Sequence, residues 1–278
     1  MKQRLLVAAV GVPLLLVVLT ICPAWATLIL TCGILGVAAY ELMHTAGKCI
    51  PAGVYAMTIL ASVMTAVYLY TGSDAFAIGA VSSVTMIRWY LLMLLFFSAV
   101  ITYGREQKLC FHDLCVAAVA GIVLPAMYGC IALLRKEADF GKVYVLAPFV
   151  IAFVGDSFSM FGGMIFGGKK MAPHVSPKKT WAGGVAGPIG SALGMMLLGL
   201  AAKSIWQYVP QYGLLALCGA VCNVFGQLGD LSMSLVKREV GIKDYSKLFL
   251  THGGMLDRFD STMFIAPVVY FFVQGGVI

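Results

Sequence analysis

A dense charged segment lies between apolar runs near the carboxyl end of this 278-residue chain. Residues 234–260 read SLVKREVGIKDYSKLFLTHGGMLDRFD, whereas only 11% of the whole chain is charged and 61% is hydrophobic. Grouping lysine, arginine, aspartate and histidine in so apolar a sequence is costly unless the charges act on something. The segment therefore predicts a site for a charged ligand.

Three aspartates occur where hydrocarbon would otherwise surround them: Asp156, Asp230 and Asp257. One interpretation is that these carboxylates pair with lysine or arginine, or hold a helix bundle together through hydrogen bonds. The other is a cavity open to the cytoplasm in which the carboxylates hold a divalent cation. Mg²⁺ suits hard oxygen ligands, and His and Cys are too sparse for a zinc site.

The spacing of polar residues around these aspartates favours helices with one polar face. Asp257 and Asp260 are three residues apart, as are Asp156 and Ser159, so each pair shares a face if its segment is helical. A longer polar stripe, with spacings of 4, 3, 4 and 3, comprises Asn223, Gln227, Asp230, Ser234 and Lys237. The stripe is expected to lead from the middle of the membrane to a cytoplasmic loop.

A second basic stretch, GGKKMAPHVSPKKTWAGG at residues 167–184, contains groups that suit an anion. Lys178 and Lys179 are cations, Ser176 and Thr180 are hydroxyl donors, and the prolines on either side of His174 stiffen the loop. Thr180 also fits the N-cap of the next helix, whose positive end would then face a phosphate. A positive loop that only sets membrane orientation remains an alternative for the lysines. Basic loops beside acidic cavities indicate a phosphoanhydride substrate with its metal.

The elements that must position these groups are apolar helices of about twenty residues, which predict an all-α polytopic membrane protein. Hydropathy indicates about nine transmembrane helices, the fourth with a start as late as Met86 and an interfacial segment over Ala75 to Thr85. They cover Leu5 to Ile21, Trp25 to Met43, Ala52 to Tyr70, Phe76 to Tyr103, Leu114 to Leu134, Tyr144 to Phe166, Trp181 to Ala201, Gln211 to Val236 and Phe259 to Val277.

The distribution of positive charge predicts the orientation of the helices. Fourteen of the nineteen Lys and Arg residues lie on one side of the nine-helix arrangement, which places the N-terminus in the cytoplasm and the C-terminus outside. This membrane bias also explains the net charge of +7, so no nucleic acid partner is expected. Residues 1–140 are expected to be N-terminal transmembrane helices, and residues 141–278 a catalytic transmembrane region with cytoplasmic loops.

The charged segment resembles the signature of the phosphatidate cytidylyltransferases, the CDP-diacylglycerol synthases. The resemblance rests on S-L-V-K-R, then K-D, then H-G-G-M-L-D-R-F-D within residues 234–260, and on a second block from Asp156 through A-P-H-V-S-P-K-K-T-W at residues 172–181. Around Asp156 the chain departs from the family, because Phe158-Ser159-Met160 and Gly162-Gly163-Met164 replace the usual residues and an arginine is missing. The resemblance covers the C-terminal half.

The resemblance implies a reaction of CTP with phosphatidic acid in the bilayer, giving CDP-diacylglycerol and pyrophosphate, with Mg²⁺ and room for a second cation such as K⁺. It implies Asp230 and Asp257 as metal ligands. It also implies a catalytic set of Asp230, Asp257, Lys237, Arg238, His252, Arg258 and Asp260, and a substrate-binding set of Ser176, Lys178, Lys179, Thr180, Lys243, Asp244, Gly253, Gly254 and Asp156. A multi-pass protein of the bacterial inner membrane, and a homodimer, fit the same family.

Two other functions use similar groups. A CTP-dependent membrane kinase acting on a polyprenol or phytol would transfer the γ-phosphoryl group instead. A cation-coupled transporter would use Asp156 and Asp230 to bind its coupling ion, but it leaves the basic stretch unexplained.

Overall fold

A computed structural model describes residues 11–72, 82–103, 109–137, 139–249 and 253–278. The chain forms two compact units, and each is built from two stretches of sequence. The first unit consists of Met1–Leu133 and Val240–Arg258, and the second of Leu134–Glu239 and Phe259–Ile278. Much of the charged segment therefore belongs with the N-terminal helices. The functional division near residue 140 stays a prediction.

The first unit is a bundle of apolar helices whose ends follow local sequence signals. Pro23 and Pro51 immediately precede two of its helices, and Gly47 and Gly72 follow the ends of the same two. Gly72 adopts a left-handed conformation with φ 62°, which glycine tolerates at a helix end. The helices are α1 (Gly11–Ile21), α2 (Ala24–Ala46), α3 (Ala52–Thr71), α4 (Ser83–Thr102) and most of α5 (Phe111–Lys136).

Two of these helices contain a π-helical turn, at Val17–Ile21 in α1 and Val119–Val123 in α5. The core of the unit is aliphatic and includes Leu35, Leu42 and Met43 from α2. A sequence this apolar forms helices because a backbone in hydrocarbon must satisfy its own hydrogen bonds.

The second unit contains three long helices, a short hairpin and the greater part of a fourth helix. In chain order these are α6 (Gly141–Phe166), β1 (Lys170–Ala172), β2 (Ser176–Thr180), α7 (Trp181–Trp206), α8 (Tyr212–Glu239) and α9 (Met255–Gln274). Small residues allow α6 and α7 to pack closely: the ring of Phe158 lies over Gly190, and Gly162 lies against Ala186.

The described helices confirm the all-α polytopic membrane class. Each of the nine predicted apolar segments overlaps a helix, and within the described ranges seven helices are long and apolar enough to cross a membrane. Helix α4 begins at Ser83, between the two predicted starts, and residues 75–81 of the predicted interfacial segment lie outside the described residues. The number of crossings and the orientation stay predictions.

Candidate active site

The basic stretch that was expected to be a stiffened loop forms a two-stranded antiparallel hairpin. Lys170 is opposite Thr180 and Ala172 is opposite Ser176, and the N–H of Trp181 donates to the carbonyl oxygen of Lys169 at 3.1 Å. The hairpin sets Lys178 and Lys179 on a paired strand that leads directly into α7. The register shifts between the two pairs, so Lys178 and Lys179 lie in an irregular stretch of β2 whose two ends are paired.

Thr180 joins the hairpin to α7 as the predicted N-cap. Its backbone is extended, and its Oγ1 accepts a hydrogen bond from the N–H of Gly183 at 3.2 Å. The prediction that Thr180 caps this helix is confirmed. The cap fixes the first turn of α7 and places the positive end of the helix dipole beside the hairpin lysines.

A cavity of about 530 Å³ lies between the hairpin, α6, α7 and α8 in the second unit. Its charged and hydroxyl lining includes Asp156, Lys178, Lys179, Thr180 and the predicted partner of Asp156 on the same helical face, Ser159. The Oγ of Ser159 is buried without a hydrogen-bond partner among the described residues. Three methionines, Met160, Met164 and Met171, supply apolar surface. The cavity can therefore accept an anion that also has an apolar part.

Asp230 and Lys179 form an ion pair at the edge of this cavity. The Lys179 Nζ lies 2.5 Å from the Asp230 Oδ2, and the two side chains are 26% and 30% exposed. The same ammonium donates to the carbonyl oxygen of Gln227 at 3.4 Å, and Ser234 Oγ donates to Asp230 Oδ1 at 3.4 Å. The pairing of a membrane aspartate with lysine, which was one of the two interpretations, is thus present at Asp230.

The polar stripe of α8 divides into two parts with different partners. Deeper in the helix, Gln227 Nε2 donates to Asn223 Oδ1 at 2.7 Å and to the Gly184 carbonyl oxygen at 3.1 Å. Asn223 Nδ2 and Ser191 Oγ both donate to the carbonyl oxygen of Ile151, at 3.4 and 2.8 Å. This part joins α6, α7 and α8 through hydrogen bonds, as polar residues do in membrane bundles. Gln227 also lines the cavity, and the ion-paired Asp230 follows it toward the carboxyl end of α8.

Buried charges continue toward the carboxyl end of α8. Lys237 and Asp260 are both buried, and the charges of Lys237, Asp230 and Asp156 act on the Asp260 carboxylate. Asp260 Oδ1 also accepts the N–H of Ser261 at 2.8 Å. The Arg238 Nε donates to the Val175 carbonyl oxygen at 3.2 Å, so the end of α8 is tied to the turn of the hairpin.

In the first unit, the charged segment is arranged around Asp257. Its Oδ2 accepts the N–H groups of Tyr245 at 2.8 Å and Gly254 at 2.9 Å, and the residue is buried. These two backbone donors fix the direction of the carboxylate. Lys243, Asp244 and Arg258 of the same segment are exposed.

Comparison with sequence models of protein families shows which family this chain belongs to. The sequence model of the Cytidylyltransferase family matches residues 2–275, which is nearly the whole chain. The chain belongs to the cytidylyltransferase family. The first 140 residues, which sequence patterns alone related to the family only as hydrophobic helices, are included in the match.

Several curated relatives of this cytidylyltransferase family member are named phosphatidate cytidylyltransferase. The protein from Rickettsia felis is 33% identical over 160 residues, which is 54% of this chain and 66% of that protein. The protein from Brucella abortus is 36% identical over 144 residues, 51% of each chain, and that from Bacillus subtilis is 30% identical over 200 residues, 70% of each. The chain thus spans about half to two thirds of the first two relatives.

The carboxylates of this cytidylyltransferase family member fit a magnesium ion that a substrate helps to hold. Within the described residues, no three His, Cys, Asp or Glu side chains are grouped so that they alone could bind a metal ion. Mg²⁺ in proteins is commonly held by one or two carboxylates together with substrate phosphates and water. Asp230 in the second unit and Asp257 in the first each offer carboxylate oxygens of the kind that such a site uses.

The structure brings together most of the predicted residues of the second unit. Asp156, Lys178, Lys179 and Thr180 line one cavity, and Asp230 joins them through its ion pair with Lys179. Ser176 lies on β2 of the hairpin. In the first unit, Gly253 and Gly254 lie beside carboxylates: a Cβ on Gly253 would be 2.8 Å from Asp257 Oδ2. His252 lies outside the described residues.

Sequence reasoning missed two buried acidic residues of the first unit. Glu41, near the end of α2, is hydrogen-bonded to the charged segment, and Asp113 accepts the N–H groups of Lys48 at 2.7 Å and Cys110 at 3.2 Å. Asp113 belongs to a capping box at the start of α5. An acidic residue inside the apolar run of the second predicted helix was the available signal for Glu41.

Proposed function

We propose that the protein transfers the cytidylyl group of CTP to phosphatidic acid, giving CDP-diacylglycerol and pyrophosphate. The observation that carries the proposal is the cavity in which Lys178, Lys179 and Thr180 meet Asp156 and the Asp230 ion pair, in a chain of the cytidylyltransferase family. Relatives named phosphatidate cytidylyltransferase supply the substrate class.

The reaction brings two anions together before a bond forms. An oxygen of the lipid phosphate attacks the α-phosphorus of CTP, the new P–O bond forms, and the bond to the β-phosphate breaks to release pyrophosphate. A phosphate monoester is largely ionised at neutral pH, since its second pKa is about 6, so no strong general base is required. Neutralising and orienting charge is the main task of the protein.

Each group of residues has a proposed part in this task. At the hairpin, phosphate oxygens are bound by Lys178, Lys179, Thr180 and Ser176. Pairing with β1 fixes both ends of the strand that carries them. Charged groups at the end of α8 and in the charged segment hold the leaving pyrophosphate: Lys237, Arg238, Lys243 and Arg258. The buried carboxylate of Asp260 keeps the Lys237 ammonium in place.

Asp230 and Asp257 are the proposed magnesium ligands, with K⁺ as a candidate second cation. When bound, the divalent cation would neutralise charge on the phosphates. The Lys179 ammonium already balances Asp230, so binding of a cation would free this lysine for a phosphate oxygen.

The proposed setting is a bacterial inner membrane, with the N-terminus and the charged loops in the cytoplasm, where CTP is available. The acyl chains of the lipid would remain in the bilayer. The protein is proposed to act as a homodimer, without a nucleic acid partner.

The position of a radioactive label tests the proposal. Purified protein is incubated with phosphatidate, Mg²⁺ and CTP labelled at either the α- or the γ-phosphorus. Cytidylyl transfer puts the α-label in the lipid and the γ-label in pyrophosphate. A membrane kinase would put the γ-label in the lipid and leave the α-label in CDP, and a transporter would consume no CTP.

A further inference from the structure

Glu41 connects the N-terminal helices to the charged segment. It lies in the last turns of α2, is 3% exposed, and accepts three hydrogen bonds. The donors are Ser246 Oγ at 2.6 Å, the N–H of Met255 at 2.9 Å and the N–H of Leu256 at 2.8 Å. Glu41 and all three donors belong to the first unit.

The Glu41 carboxylate ties together the two ends of one loop. Ser246 precedes the loop, and Met255 and Leu256 begin α9 after it. Asp257 makes a second connection within the charged segment. Its Oδ2 accepts the N–H groups of both Tyr245 and Gly254. Between these points the N–H of Phe249 donates to the Gly253 carbonyl oxygen at 3.0 Å. Two carboxylates therefore accept the N–H groups of Gly254, Met255 and Leu256, which have no partner within the helix.

The close approach of Glu41 to the backbone explains why residue 254 is a glycine. A Cβ on Gly254 would lie 2.5 Å from Glu41 Oε1 and 2.7 Å from Glu41 Cδ, so a larger residue would push the carboxylate away. Gly253 has φ 80°, a conformation that other residues rarely adopt. The glycine pair thus fits the two carboxylates that hold the loop.

A helix start can be capped by a nearby Ser, Thr, Asp or Asn, so a glutamate some 200 residues away in sequence is not needed for capping alone. Here the capped turn carries Asp257 and Arg258, whose directions matter in the proposed reaction. Functional side chains are held in position by hydrogen bonds from residues behind them. We infer that Glu41 is a positioning residue that fixes the first turn of α9, and with it Asp257 and Arg258, for cytidylyl transfer.

This inference rests on the proposed function and is tested with Glu41→Gln. The glutamine NH₂ replaces one acceptor by a donor that faces a backbone N–H donor, while the size of the side chain is kept. We expect a roughly tenfold fall in the rate of CDP-lipid formation and a several-fold rise in the Mg²⁺ concentration that gives half the maximal rate. A loss of folded molecules would lower the rate but leave that concentration unchanged.

Hydrogen–deuterium exchange without Mg²⁺ or substrate gives a readout that does not depend on activity. Exchange at Met255 and Leu256 should be faster in Glu41→Gln than in the wild type. The matched control is Glu137→Gln, because Glu137 is a partly exposed glutamate that accepts a hydrogen bond from the Gln274 side chain. This variant should match the wild type in the rate of CDP-lipid formation, in the Mg²⁺ concentration for half the maximal rate and in hydrogen exchange. If Glu41→Gln does not fold, Ser246→Ala removes one donor and keeps the carboxylate, and it should show smaller shifts in the same directions.

The outcomes separate this inference from the proposed function. A wild-type protein that makes no CDP-lipid would remove the proposed function and the inference with it. An active wild type whose folded Glu41→Gln variant keeps the normal rate and Mg²⁺ requirement would overturn the inference alone. Normal values for Ser246→Ala, where only that variant folds, would overturn it equally.

Discussion

Glu41 and Asp257 in the first unit have different partners from Asp230 in the second. In the first unit, Glu41 and Asp257 accept backbone N–H groups, and together they fix the start of α9 and the loop before it. In the second unit, Asp230 pairs with the side-chain ammonium of Lys179 beside a cavity. The same chemical group thus binds backbone N–H groups in one unit and balances a side-chain charge in the other.

The difference shows why acidic residues in an apolar sequence are ambiguous. A carboxylate bound by backbone N–H groups cannot be replaced without disturbing the chain that supplies them. A carboxylate bound by a lysine side chain can exchange that partner for a metal ion or release it to a phosphate. Substitutions in the two units should therefore change different properties as well as activity.

The largest effects are expected for Asp257→Asn and Asp230→Asn, because both residues are proposed magnesium ligands. Each should lower CDP-lipid formation by roughly 10³-fold, since charge stabilisation of this kind contributes that much in enzyme sites. Only Asp257→Asn should also speed hydrogen exchange at Tyr245 and Gly254, because it weakens the bonds to those N–H groups.

Asp139→Asn is the matched control for these two variants, because Asp139 is exposed. This variant should keep the normal rate of CDP-lipid formation and normal hydrogen exchange at Tyr245 and Gly254. Faster exchange at Tyr245 in Asp230→Asn would break the contrast between the two units, and near-normal activity in either folded site variant would remove its assignment as a metal ligand.

A smaller effect is expected for Lys179→Met, which keeps a long unbranched side chain and removes its charge. Asp230 loses its partner and the cavity loses a cation, so the rate should fall roughly 10²-fold. Lys179→Arg should retain part of the activity because the charge remains. Lys203→Met, at an exposed position near the end of α7, is the control and should be unaffected. Wild-type rates in Lys179→Met would mean that the ion pair has only a structural role.

The smallest effect is expected for Gly254→Ala, which displaces the Glu41 carboxylate without removing a charge. We expect a roughly tenfold loss of activity, with faster exchange at Met255. Gly213→Ala is the matched control, since a Cβ at Gly213 would meet nothing within 4 Å. If both alanine variants behave like the wild type, the close contact between Gly254 and Glu41 does not affect the reaction.

The sequence predicted the helices well because runs of about twenty apolar residues have few other structures in a membrane. The spacing of Asn223, Gln227 and Asp230 correctly placed them on one helix face, but only the structure shows that the first two bind helix carbonyls. The hairpin was missed because S-P-K-K-T is short, polar and contains proline, which are the properties of a loop.

Glu41 was missed for a different reason. Its partners lie more than 200 residues away in sequence, so no local pattern connects them. The signature explains which residues belong together within the charged segment, but it contains no information about the helix that holds the segment. A lone acidic residue in an apolar helix indicates that a partner exists, and the fold is needed to identify it.

The fate of the α-phosphorus of CTP tests the central claim, cytidylyl transfer to phosphatidate, most directly. Wild-type protein and Asp230→Asn are compared side by side in vesicles containing phosphatidate and Mg²⁺. We predict that α-label appears in the lipid with wild-type protein, accompanied by one pyrophosphate for each labelled lipid, and that Asp230→Asn gives background values. Label that reaches the lipid only from the γ-phosphorus, or equal incorporation by both proteins, would contradict the account.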